Sequence, residues 1–303
     1  MLTALGGVLS RVPTDSALAF LSDALRFSAG AERDAVINAI GRAQIGSGLR
    51  ELAALVTSED SADRRSAAAL AAAHPGPSGG ALIARRLLMD SDSGVCAQAA
   101  WALGAVGDAS DFNRLLELAR ASDTDAAVNA VAAYGRIAAR VQAAGSATSA
   151  ALCPILADHR PYVRANTVVA LSLAGAACGD GSLRRELLGH DPSEDVRAAA
   201  ALALGDHPLT EDAKALEHCA TSETSGYVAS RCASHRASAA QTHPVLIFVL
   251  PQGSLVPQPD AAYAAVFSNG LLRAGVSDRR GAFFEPNAPE GFVALRKPSA
   301  LAR

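Results

Sequence analysis

The stretch DPSEDVRAAAALALG at 191–205 recurs along this chain, and that recurrence constrains the fold more than any other feature. An acid opens it, an Arg follows Val, and small apolar residues lead to a Leu-Gly exit. Close versions run from Asp90 (DSDSGVCAQAAWALGAVGD) and from Asp158 (DHRPYVRANTVVALSLAG). With the Val as reference, copies fall at Val95, Val128, Val163, Val196 and Val228, and weaker copies place Glu32 and Arg64 in the same slot. The spacing stays between 31 and 35 residues, the period of a stacked helical-repeat array.

Each repeat reads as two helices. Within the second, small or apolar residues sit four, seven and eight places after the reference: Ala99, Ala102 and Leu103; Thr167, Ala170 and Leu171; Ala200, Ala203 and Leu204. That is one face of a 3.6-residue helix. Alanine at the middle positions lets neighbouring helices approach, and Leu fills the gap between layers. One pair cannot bury such a stripe alone, so neighbours must stack. Only 4% of the 303 residues are aromatic, which suits close packing through small side chains.

Five residues before the reference lies an acid in six copies: Glu59, Asp90, Asp123, Asp158, Asp191 and Glu223. One residue after it lies Arg in four: Arg33, Arg65, Arg164 and Arg197. An acid there caps the second helix or bonds nearby amides, and the Arg reaches the adjacent turn. The series reads as a structural ladder between layers, because identical placement in each repeat is what stacking gives. A catalytic or metal-binding row does not need it.

The acid, Val-Arg, Ala and Leu-Gly pattern over about 14–239 resembles HEAT repeats, especially the short bacterial kind also found in phycobilin lyases. The resemblance implies a mainly α fold, a right-handed α-solenoid of about seven helix pairs over 1–240. The first two copies lack the Val, and Asn129 stands where the fourth expects Arg. After Ala240 the period changes to short strand-like runs: VLIFVL, AAYAAVFS, LLRAGVS, GAFFEP and GFVALR. Asn269-Gly270 marks a hairpin, with further turns at Asp278–Gly281 and Pro289–Gly291. The run GVSDRRGAFFEPNAPEGFVAL resembles transthyretin-like or carboxypeptidase-regulatory-like β-sandwiches. A small antiparallel β-domain is therefore expected over 244–303. Because VLIFVL has no polar alternation, one of its faces is expected to cover the last helix pair as a cap.

Charge and composition narrow the partners. The net charge is −3 with dispersed arginines, which gives nucleic acid or anionic lipid nothing to follow. No run of about 18 apolar residues marks a membrane span. The N-terminus has no basic lead before its apolar run, so cytoplasmic location is the default, with export left open.

No nucleophile elbow, phosphate loop, zinc-protease motif or dinucleotide fingerprint occurs. No catalytic residue, cofactor or metal is assigned. His218, Cys219, Cys232 and His235 bracket the last hairpin. Three readings stand for them: a zinc site, a Cys219–Cys232 disulfide if the chain is exported, or two unlinked helix cysteines, the leading case. Trp101 aligns with core positions. The function expected is a non-enzymatic scaffold or adaptor binding a protein or peptide on the concave solenoid face. The alternative is a bilin-lyase-like or other HEAT-like enzyme or chaperone acting on a partner protein.

Overall fold

The computed structural model describes residues 15–42, 46–75, 79–180, 182–206, 210–234 and 241–298. His235 and His207 lie outside them, as does the N-terminal apolar run.

Among the described residues there are fourteen α-helices followed by five strands. The helices are α1 Asp15–Phe27, α2 Gly30–Arg42, α3 Gly46–Leu55, α4 Ser61–Ala71, α5 Gly80–Leu87, α6 Ser93–Val106 and α7 Phe112–Ala119. Then come α8 Thr124–Arg140, α9 Gly145–Leu152, α10 Pro161–Leu173, α11 Ser182–His190, α12 Glu194–Asp206, α13 Thr210–Ser222 and α14 Gly226–Ala233. They make seven helix pairs, and the even-numbered helix is the second of each. The strands are β1 Thr242–Phe248, β2 Ala262–Val266, β3 Leu272–Val276, β4 Ala282–Pro289 and β5 Ala294–Arg296. The fold is mainly α, helical repeats followed by a small antiparallel sheet region.

The chain divides into two compact units, and each combines helices with strand segments. The first holds 1–107, 243–263 and 274–288; the second holds 108–242, 264–273 and 289–303. Secondary structure changes near residue 240, as expected, but the compact units do not divide there. From His243 onward β1 groups with the N-terminal helices, not with α13 and α14. β1 pairs with β4.

Local chemistry sets the helix ends. The side chains of Asp60, Asp92 and Asp123 accept from the amides of Ala62, Val95 and Ala126, occupying donors that have no partner inside the helix. Pro161 opens α10, where its missing N–H costs nothing. Within each unit the second helices stack directly: α2 on α4 on α6, and α8 on α10 on α12 on α14. Their alanines make that possible. At Gly135 in α8 even a Cβ would meet the Ala170 Cβ at 2.4 Å, so the two helices touch there through bare backbone. Most residues of α6, α8, α10 and α12 are buried, and Val95, Ala99, Ala102 and Leu103 of α6 are all at 0% exposure.

The strands form a two-stranded sheet, β1-β4, and a three-stranded one in the order β3-β2-β5. β2 and β5 run antiparallel with Ala264 opposite Arg296 and Val266 opposite Ala294. Asn269-Gly270 lies in the β2–β3 turn, with Gly270 at φ +84°, and Asp278–Gly281 closes β3–β4.

Candidate functional site

The repeat ladder is built as a rule with exceptions. Arg64, Arg164 and Arg197 each fork the acid of the following repeat: Asp90 at 2.8 and 3.0 Å, Asp191 at 3.0 and 2.9 Å, Glu223 at 2.9 and 3.1 Å. Each also donates to carbonyls six and five residues earlier in its own hairpin. The acids in turn accept from backbone amides two residues on, those of Asp92, Ser193 and Ser225. Planar forks of this kind fix the layer spacing. The Arg197 fork holds the Glu223 carboxyl down at about 2.

The exceptions are informative. In the second repeat the ladder uses Arg64, so the reference slot belongs to Asp63, one residue before the expected register. Arg65 instead bonds Asp260 at 3.1 Å, and Glu59 offers its carbonyl to Arg64. Arg33 pairs with Asp63 at 2.9 Å. With Asn129 in the fourth Arg slot, Asp158 is taken by Arg160, and Asp123 caps α8. An unexpected pair, Arg185 with Asp212 at 2.6 Å, joins the first helices α11 and α13.

Cys219 and Cys232 are joined in a disulfide with Cα atoms 5.9 Å apart, linking α13 to α14. A second disulfide joins Cys153 to Cys178 at 5.8 Å. Cys96 is in neither disulfide, and its thiol donates to the Asp90 carbonyl at 3.0 Å. Among the described residues no group of three metal-ligating side chains converges.

The feature that sequence reasoning missed is what covers the second helices. In the first unit the β3–β4 turn reaches them through Arg279. Its amide donates to Asp34 at 2.7 Å, and its guanidinium meets Asp60 at 2.7 Å and Asp63 at 3.1 Å. Trp101 is buried, as its core alignment predicts, yet its indole N–H donates to the Glu285 carboxylate at 2.6 Å. Gln98 donates to the Tyr263 hydroxyl, and Asn287 to the Ala72 carbonyl.

In the second unit, Asn166 reads both backbone groups of Leu272. Its amide donates to that carbonyl at 2.7 Å, and its oxygen accepts from that N–H at 2.8 Å. Tyr162 donates to the Lys297 carbonyl, Arg231 to that of Ser268, and Arg296 pairs with Glu194 and Asp195. Burial raises the Asp195 carboxyl against the pull of Arg296. Arg296 also lies over the Tyr227 ring at 4.5 Å. Gly270 fits against Leu202 and Val169, where a Cβ would come within 2.8 Å of the Leu202 side chain.

Six of the residues that make these contacts stand at two helical positions, one before the reference and three after: Tyr162 and Asn166, Asp195, Tyr227 and Arg231, and Gln98. Four residues apart, they share a helix face. The signal was present in the sequence, because these are the places where large polar residues interrupt the alanines. α6 is also apolar nearly all round, as fully buried helices are.

Exposed apolar side chains gather elsewhere. Leu255 is 94% exposed and Val256 72%, with Phe248 and Leu250 beside them in sequence. From Pro244 to Pro259 no charged residue occurs.

Residues 149–234 match the family model of HEAT repeats. That span covers α10 to α14 with both disulfides and the two regular ladder forks of the second unit. No curated protein matches the chain. No helix among the described residues is long and apolar enough to cross a membrane.

Proposed function

We propose that this chain is a non-enzymatic scaffold or adaptor of an oxidising compartment, and that it holds a protein or peptide through the uncharged stretch 244–259. HEAT repeats suit such a role. The observation that carries this choice of surface is the exposure of Leu255 and Val256, with Phe248 and Leu250, in a segment without a charge. Exposed apolar side chains collected in one uncharged segment of this kind mark interaction sites. The second-helix face, where a bare array would take its partner, is bonded to the chain's own strands in each unit. That occupancy disfavours the bilin-lyase-like alternative, which needs an apolar pocket on that face. The transthyretin-like reading of the strand region, which implies adhesion or spacing, agrees with a binding role. The net charge of −3 supports a partner other than nucleic acid.

Two disulfides within one group of repeats support export, since cytoplasmic thiols are kept reduced. Export is therefore the reading preferred to the cytoplasmic default.

The test is photo-crosslinking in the native host, with the probe at Leu255 or at Leu82, an exposed position on α5. The expected result is one partner captured from 255 and not from 82, and lost when Val256→Asp is added. Equal capture at both positions, or capture indifferent to Val256→Asp, contradicts the assignment.

A further inference from the structure

Asp34 lies on α2 at 0% exposure, and only one of its oxygens is hydrogen-bonded. Oδ2 accepts the Arg279 amide at 2.7 Å. Oδ1 is buried without a hydrogen-bond partner and stands 3.8 Å from Arg279 Nη1. The guanidinium it faces is already engaged, because Arg279 Nη2 meets Asp60 and Asp63 at closer range. Asp63 also has Arg33, and its second oxygen accepts from Ser58. Around the turn, Asp278 is paired with Arg280, and Arg65 is paired with Asp260. The groups facing Asp34 are thus Arg279, Asp278 and Arg280 from the turn, with Asp60 and Asp63 at the start of α4 and Arg33 on its own helix. Three carboxylates converge on one arginine, and the most deeply buried has the poorest share of it.

We propose that the β3–β4 turn is held to the second helices by a pH-sensitive clasp, in which Asp34 carries a proton on Oδ1 while the clasp is tight and releases it as the clasp loosens. The proton removes a buried charge that the shared guanidinium does not neutralise. Burial is the largest influence on the Asp34 carboxyl, with Arg279 opposing it, and the group is pushed up from 3.8 to about 6. A carboxyl raised in the folded state stabilises fully below 3.8, and that contribution is lost as pH rises through 6. Asp63 behaves oppositely. Burial raises it, but Arg33, Ser58 and Arg279 outweigh that and leave it lowered, so its contribution is lost only toward strong acid. The clasp is tightest in mild acid and loosens toward neutral pH, the reverse of an ordinary exposed ion pair.

The experiment is amide hydrogen exchange of the Arg279 turn in the full chain between pH 5 and 7.5, corrected for the intrinsic rate. If opening exposes Asp34 to water, protection should fall roughly tenfold across that range, from the two proton affinities of Asp34. In Asp34→Asn the fall should vanish. In the wild-type chain a carboxyl-carbon titration of Asp34 should show a midpoint near 6. A midpoint below about 4.5, in the ordinary carboxylate range, or wild-type protection that does not change with pH, overturns the proposal. So does an Asp34→Asn chain that keeps the wild-type profile. The carboxyl titration decides the matter if the variant does not fold.

Discussion

In the first compact unit, charge does much of the joining between strands and second helices: Arg279 with three aspartates, Arg65 with Asp260, and the Glu285 carboxylate with the Trp101 indole. In the second, Asn166 and Tyr162 bond strand backbone, Arg296 supplies the ion pairs, and two disulfides close the helices below. The same repeat thus solves one problem in two ways. Where the second helix presents carboxylates, the strand answers with Arg. Where Asn166 and Tyr162 present an amide and a hydroxyl, the main chain answers. The first unit should then respond to pH, and the second to reductant.

Reduction is the largest expected effect. The two disulfides join residues 25 and 13 apart in sequence, and loops of that size are worth about 3 kcal/mol each. Thermal unfolding of the second unit should fall by roughly 10–20 °C with reductant. The first unit has Cys96 alone, and its exchange protection should not change. Equal loss of protection in both units would break the comparison.

Asn166→Leu comes next. It strips hydrogen bonds from the buried backbone of Leu272 and from the Val128 carbonyl. Denaturant unfolding of the second unit should show a loss of about 2–4 kcal/mol. A loss below about 0.5 kcal/mol would mean that the strand does not depend on this amide. The smallest effect is the roughly tenfold pH response of the Arg279 turn.

Much of the fold is legible in the residues. The period of 31–35 gives the helix pairs, because each repeat must bury the same stripe against its neighbour. The loss of that period after Ala240, with Asn269-Gly270 and Asp278–Gly281, gives the strands and their turns. The ladder is legible where Val and Arg stand together. It slips by one residue where Asp63 takes the place of Val, since hydrophobic alignment has nothing to hold there. The destination of the strands is a matter of pairing across distance, such as 106 residues between Asn166 and Leu272. Neither period nor propensity carries that information. The trace it leaves is polar: Gln98, Asn166 and Arg231, in the same slot of three helices, are too large and too hydrogen-bonding for an alanine seam.

The central claim is that the chain's own strands occupy the second-helix face. Trp101 tests it most directly, because it is the single tryptophan and its indole N–H donates to Glu285 of β4. Nuclear magnetic resonance of the full chain should show one indole N–H in slow exchange with water. Glu285→Gln should move that resonance, and acrylamide should quench the fluorescence of the wild type only weakly. An indole N–H that exchanges like free indole, with fluorescence open to quencher and indifferent to Glu285→Gln, would mean that the face is bare and the account is wrong.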